Sequence, residues 1–142
     1  MDLVISGSMT TLLGPSGSYG KICNDINRVW RLEMVMVNDR DFVLIVHYAS
    51  LYSHLLPAVN RAKFLIALSN ILECSPLEFN FCKDVNRRVM GSMNDMKRMM
   101  NVWSNRYDHT NVAEMEKIIN RTPFSYINME SPGKRWSRLT RR

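Results

Sequence analysis

The sequence of 142 residues lacks the features that mark membrane and secreted proteins. No apolar run approaches the ~20 residues that cross a bilayer, and the run at residues 42–46 has only five. Residues 1–4 include no basic segment ahead of their apolar ones, so we expect no signal peptide. Three cysteines without CxxC spacing argue against a disulfide framework: Cys23, Cys74 and Cys82. We therefore expect a soluble, cytoplasmic protein with no membrane partner.

Motifs for catalysis and metal binding are also missing. The loop at residues 14–21 fails the GxxxxGK[ST] phosphate-binding pattern, because five residues separate its first glycine from the Gly-Lys pair and no Ser or Thr follows Lys21. The histidines have no zinc-ligand spacing: His47, His54 and His109. We predict no metal, no cofactor and no enzymatic activity. An enzyme of unrecognised type, using His47, Cys82 or Asp95, is the third possibility.

The positive charge is concentrated at one end of the chain. Lys and Arg total 19 and Asp and Glu total 13, for a net charge of +6. Residues 131–142 hold five of the basic residues and no acid, which predicts a domain at 1–130 followed by a basic, disordered tail at 131–142. The tail suits nucleic acid, an acidic protein surface or mere solubility. Its candidate binding residues are Lys134, Arg135, Trp136 and Arg138.

Hydrophobic periodicity predicts an α+β fold in a single domain. Residues 2–6 suit a first strand, residues 29–37 alternate, and residues 42–48 form a continuous apolar stretch, so the last two form a hairpin. Residues 60–74 then change to helical spacing. We expect a small, mostly antiparallel sheet packed against two main helices, the second of which begins near residue 86.

The second helix carries the clearest pattern. Its apolar stripe consists of Val85, Val89, Met93, Met96, Met100, Trp103 and Tyr107. This methionine-rich face is either core or an adaptable binding surface. The same helix carries a second, polar stripe of Arg87, Gly91, Asn94 and Arg98, and Arg88 belongs to the stripe next to it. Glycine inside a helix costs about 1 kcal/mol relative to alanine, so the pattern predicts a contact face around residue 91. The alternative is that Asp95 pairs with Arg88 or Arg98 while Gly91 packs under a strand.

The segment from Asn86 to Asp95, NRRVMGSMND, resembles NRSVLGSMND in a family of small uncharacterised bacterial domains, a domain of unknown function. The upstream order is similar: Trp30 opens a strand, and LYSHLLP at residues 51–57 precedes a helix. The resemblance covers residues 2–103 and departs from the family at Arg88, where the family has Ser. It implies a fold and a small accessory protein of a bacterium, phage or mobile element, and it implies no catalytic mechanism.

Together these observations favour a non-enzymatic protein that binds DNA or RNA through the basic tail and the arginine-bearing helix face. Arg87 and Arg88 would hold phosphates, Asn94 would read a base edge, and Trp136 would stack on a base. The alternative is a protein-binding inhibitor or antitoxin-like module. An example is a phage or plasmid factor that blocks a bacterial defence (CRISPR-type) nuclease by binding that nucleic-acid-binding protein.

Overall fold

The computed structural model describes residues 1–14, 19–22, 25–106 and 112–140, and it has the α+β fold expected from the sequence. The strands are β1 (Asp2–Ile5), β2 (Val29–Val37), β3 (Arg40–His47), β4 (Ser53–Pro57) and β5 (Asn80–Cys82). The helices are α1 (Thr10–Leu13), α2 (Arg61–Leu72), α3 (Arg87–Arg106), α4 (Val112–Arg121) and α5 (Pro132–Thr140). No helix within these ranges combines the length and the apolar character that crossing a membrane requires.

The five strands form one mixed sheet in the order β4-β3-β2-β1-β5. The β2–β3 and β3–β4 pairs are antiparallel, and the two-residue turn at Asn38 and Asp39 has the positive φ angles of a tight hairpin. Strand β1 instead runs parallel to both β2 and β5. The sheet is therefore mixed: its two longer strand pairings are antiparallel, as expected, and β1 adds two shorter parallel ones. Residues 6–28 are long enough for a parallel crossover, and an apolar pattern does not reveal which strand a neighbour will pair with.

Helices cover both faces of the sheet. Trp30 and Leu32 of β2 pack towards α1 and α2, while Val29 and Val35 pack towards α3. The alternation in β2 predicts a strand buried on one side only, and this prediction is wrong. Its polar positions also lie in the interior, where Glu33 joins the side chains of Arg31 and Lys97.

Helix α3 follows its predicted pattern from Val89 onwards, whereas Val85 precedes the helix and is exposed, and Tyr107 lies outside the described residues. The Asn86 side chain caps its first turn by accepting a hydrogen bond from the backbone N–H of Val89 at 3.1 Å. Four residues of the apolar stripe are buried against the sheet: Val89, Met93, Met96 and Met100. The methionine-rich stripe is therefore core over these positions, and the opposite face of α3 is left for solvent.

Helix α4 covers the exposed edge of the sheet at β4. The Asn120 side chain accepts from the backbone N–H of Ser53 at 2.8 Å and donates to its carbonyl at 3.0 Å. One turn earlier, Glu116 accepts from the N–H of Leu55 at 2.6 Å. Burial raises the pKa of Glu116, although this hydrogen bond works in the opposite direction. These side chains satisfy backbone groups that would otherwise form an open, aggregation-prone edge.

The C-terminal segment differs from its prediction. Pro132–Thr140 form helix α5, where the sequence predicts a disordered tail, while residues 141–142 lie outside the described residues. Trp136 holds this helix to the domain, because its ring stacks on Tyr52 with centroids 5.1 Å apart and meets Trp30 edge-on at 5.6 Å. A charge count cannot reveal this contact, since Tyr52 and Trp30 lie 84 and 106 positions upstream of Trp136.

Candidate functional site

Four of the predicted site residues line one open cleft along α3. This α3 cleft has a volume of about 600 Å³. It is lined by Arg87, Arg88, Gly91, Ser92, Asn94, Asp95, Arg98 and Tyr126. The helical spacing places the polar residues on the face opposite the buried methionines, so the structure assembles the α3 part of the predicted site as the sequence indicates.

Gly91 forms an open part of the cleft surface. A Cβ atom built at this exposed position would meet nothing within 4 Å beyond its own helix backbone and chain neighbours. The alternative that Gly91 packs under a strand is therefore wrong. Since glycine in a helix interior is unfavourable by about 1 kcal/mol relative to alanine, the residue carries a cost that no packing contact of the described residues explains.

The charge of the cleft is positive. Its lining includes three arginines and one aspartate. Asp95 pairs with Arg98 at 3.2 Å, and both side chains are largely exposed, so this pair contributes little to stability. It is one of the two pairings considered from the sequence. Arg87 and Arg88 are exposed and form no ion pair with any acidic side chain of the described residues. Two guanidinium groups are thus available for an anionic ligand.

Tyr126 is the cleft residue that sequence reasoning missed. It lies in the short 3₁₀ turn Ser125–Ile127 that follows α4, and it is half-buried against the core. The turn is held by a bridge between Phe124 and Glu130 and by the burial of Ile127. No local pattern at Tyr126 signals a role, because it reaches α3 only through the packing of this turn.

Two of the four predicted tail residues are used in packing. The Arg135 Nε donates to the carbonyl of Ala49 at 3.0 Å. Trp136 is enclosed by rings, with His47 meeting it edge-on at 5.0 Å in addition to Tyr52 and Trp30. The ring of Trp136 therefore packs against the domain, and its stacking on a base stays a prediction.

The other two tail residues line a second cleft. Lys134 and Arg138, with Ser137 and Glu130, surround about 550 Å³ on α5. Arg138 pairs with Glu130 at 2.8 Å, so part of the positive charge is already neutralised. Tyr126 of the α3 cleft and Glu130 of this α5 cleft belong to the same bridged turn. The fold therefore brings the two basic segments of the sequence to one turn.

The residues considered for catalysis have structural partners. His47 is buried, with Nδ1 at 2.8 Å from the Ser50 hydroxyl and Nε2 at 2.8 Å from the carbonyl of Asn27. Burial lowers the pKa of His47. Cys82 is buried beside Asn80. In the described ranges no three His, Cys, Asp or Glu residues gather as a metal site would require, and Cys23 and His109 fall outside those ranges.

A buried ion network joins α3 to strand β2. The Glu33 carboxylate accepts from Arg31 Nε at 2.9 Å and also binds Lys97 of α3. Burial works to raise the pKa of Glu33, but the hydrogen bonds from Lys97 and Arg31 outweigh it and lower the pKa. Tyr48 donates to Asp84 at 2.9 Å just before α3 begins, and burial raises the pKa of its phenol. These contacts help to position the first turns of α3.

Residues 70–135 match the model of a family described as Domain of unknown function (DUF6933). The match confirms the resemblance to an uncharacterised domain family over these residues, whereas residues 2–69 lie outside it. All eight residues of the α3 cleft fall within the match, and the NRRVMGSMND motif remains a prediction. No curated protein matches this chain.

Proposed function

We propose that this protein is a non-enzymatic, cytoplasmic nucleic-acid-binding protein whose α3 cleft is the contact surface. The observation that carries the proposal is that Arg87 and Arg88 line an open cleft without an ion pair to any described acidic side chain. Buried or paired arginines are unavailable to a ligand, whereas exposed ones beside other hydrogen-bond donors are typical of phosphate recognition.

The helix geometry adds to this argument. Arg87 and Arg88 lie in the first turn of α3, a helix of 20 residues, where the N-terminal end of the dipole favours anions. Asn94 lies on the same face about two turns later and offers both a donor and an acceptor. In this proposal the two arginines and Arg98 hold phosphates, and Asn94 contacts a base edge.

Fewer residues of the C-terminal segment are available for binding than the sequence indicated. Lys134 and Arg138 line the α5 cleft and supply further phosphate contacts in this proposal, while Arg135 and Trp136 hold α5 in place. The alternative of a protein-binding inhibitor relied on docking by the methionine-rich helix and by the basic tail. Met93, Met96 and Met100 lie in the core, so the part of that argument that used the methionines loses its support.

The test is fluorescence anisotropy with labelled single- and double-stranded DNA and RNA, at low and at high salt. Phosphate contacts release counterions, so binding should weaken steeply as salt rises. Replacing both Arg87 and Arg88 by Ala should weaken binding roughly tenfold at low salt, because two phosphate contacts are lost. Far-UV circular dichroism should remain unchanged, since both side chains are exposed.

The matched control is the double variant Arg40→Ala/Lys63→Ala. It removes the same charge from exposed positions at the start of β3 and on α2, neither of which lines the α3 cleft. Affinity should change by less than about twofold, because no phosphate contact is assigned there. Equal losses of affinity in the two double variants would show that the α3 cleft is not the contact surface. Only a general attraction of nucleic acid to positive charge would then remain.

A further inference from the structure

We infer that the ligand of the α3 cleft is a single strand with one unstacked base, seated between Gly91 and Tyr126. This inference rests on the proposed function and specifies the form of the nucleic acid. It is drawn from the shape of the cleft and from two of its uncharged residues, Gly91 and Tyr126.

The shape of the cleft disfavours a duplex. A helix reads duplex DNA by entering the major groove, which is about 12 Å wide, so its polar face must protrude. The polar face of α3 does not protrude freely, because the turn that carries Tyr126 packs against this helix and forms one wall of the cleft. A concave site of about 600 Å³ fits a single nucleotide, which must leave its stack to enter.

The chemistry of the cleft suits a base as well as a phosphate. Tyr126 supplies an aromatic ring, and unstacked bases pack on such rings in single-strand recognition. Gly91 leaves open space where any other residue would place a side chain. Asn94, three residues further along α3, offers an amide to a base edge. A site that held phosphates alone would have no use for an aromatic ring beside the open space at Gly91.

The probes are three fluorescein-labelled oligonucleotides with the same number of phosphates per strand. They are a single-stranded DNA of twelve nucleotides, its blunt duplex, and a twelve-unit strand without bases. The intact protein should bind the single strand roughly tenfold more tightly than the strand without bases, because base stacking on an aromatic ring adds to phosphate binding. It should also prefer the single strand to the duplex.

Variants at Gly91 identify the place of the base. Gly91→Leu should lower the affinity for the single strand to the value measured for the strand without bases. The affinity for the strand without bases should remain unchanged. Gly91→Ala should have a smaller effect in the same direction. Ala62→Leu adds an apolar side chain of the same kind to an exposed position on α2 and should change neither affinity. Tyr126→Leu, which keeps an apolar side chain in the turn, should also remove the preference for bases.

The outcomes separate this inference from the proposed function. The inference that a base binds in the cleft would be refuted by equal affinity for the single strand and the strand without bases, or by tighter binding to the duplex. Either result would leave phosphate binding at α3 intact. An unchanged preference for bases in Gly91→Leu would overturn the inference as well. Absence of binding to all three probes at low salt would refute the proposed function, and this inference with it.

Discussion

Helices α3 and α5 both carry basic residues, and each includes one glycine, yet their surroundings are opposite. A Cβ atom at Gly91 of α3 would meet open space, whereas one at Gly133 of α5 would lie 3.0 Å from the backbone carbonyl oxygen of Asn120. Likewise Arg87 is exposed, while Arg135 binds the carbonyl of Ala49. Positive charge in a sequence therefore does not by itself indicate a surface that is available to a ligand. A basic segment is available to a ligand only where its side chains are not used in packing against the rest of the domain.

The largest expected effect concerns the anchor of α5. Trp136→Ala should lower the free energy of unfolding by about 3 kcal/mol, because a large ring leaves a cluster with Tyr52, Trp30 and His47. Urea denaturation followed by circular dichroism measures the change. Leu139→Ala removes a more exposed apolar side chain of the same helix and should cost about 0.5 kcal/mol. Equal values for the two variants would show that the ring does not anchor α5.

A smaller effect should appear at the two glycines, and its sign should differ between them. Gly133→Ala should destabilise the protein by about 1–2 kcal/mol, because the added methyl group meets the backbone of α4. Gly91→Ala should stabilise it by about 0.5–1 kcal/mol, because alanine favours a helix and meets no obstacle. Thermal unfolding of the two variants gives the comparison directly. If both substitutions changed the stability in the same direction, the surroundings of Gly91 and Gly133 would not differ as described.

The smallest effect should come from pH, at the end of the sheet where α5 docks. Burial lowers the pKa of both His47 and His54 below the ordinary value of 6.5. The unfolded chain therefore takes up protons at a higher pH than the folded one. Their contribution to stability is complete above pH 6.5 and is lost as the pH falls from there through the lowered pKa values. Urea unfolding at pH 7.5 and at pH 5.5 should show lower stability in acid.

The control for this pH effect is His54→Gln, which removes one titrating group while keeping a polar side chain. Its stability should depend less on pH over the same range. Glu116 works in the opposite direction, because burial raises its pKa and protonation then favours the folded state. A variant that keeps the full pH dependence of the parent would assign the effect to groups other than His54.

Local patterns account for much of what was predicted correctly. The bounds of α2 and α3 follow from apolar spacing and from the caps Asn60 and Asn86, which act on the next turn of their own chain. The β5 region shows the limit of such patterns. Residues 77–83 alternate as a strand does, but only Asn80–Cys82 pair with β1, and Leu77 lies in a 3₁₀ turn with its side chain 97% exposed. Alternation indicates a strand only where a partner is in reach.

Local spacing is enough to predict α3, its buried methionines and the polar stripe that lines the α3 cleft, because residues three and four apart share a helix face whatever the rest of the chain does. Packing between distant elements brings Tyr126 to this cleft, places Arg31 and Glu33 in the interior and lets Trp136 hold α5 to the domain. These last features depend on contacts between residues far apart in the chain. Such contacts form when apolar surface is buried between elements, and no local spacing records them.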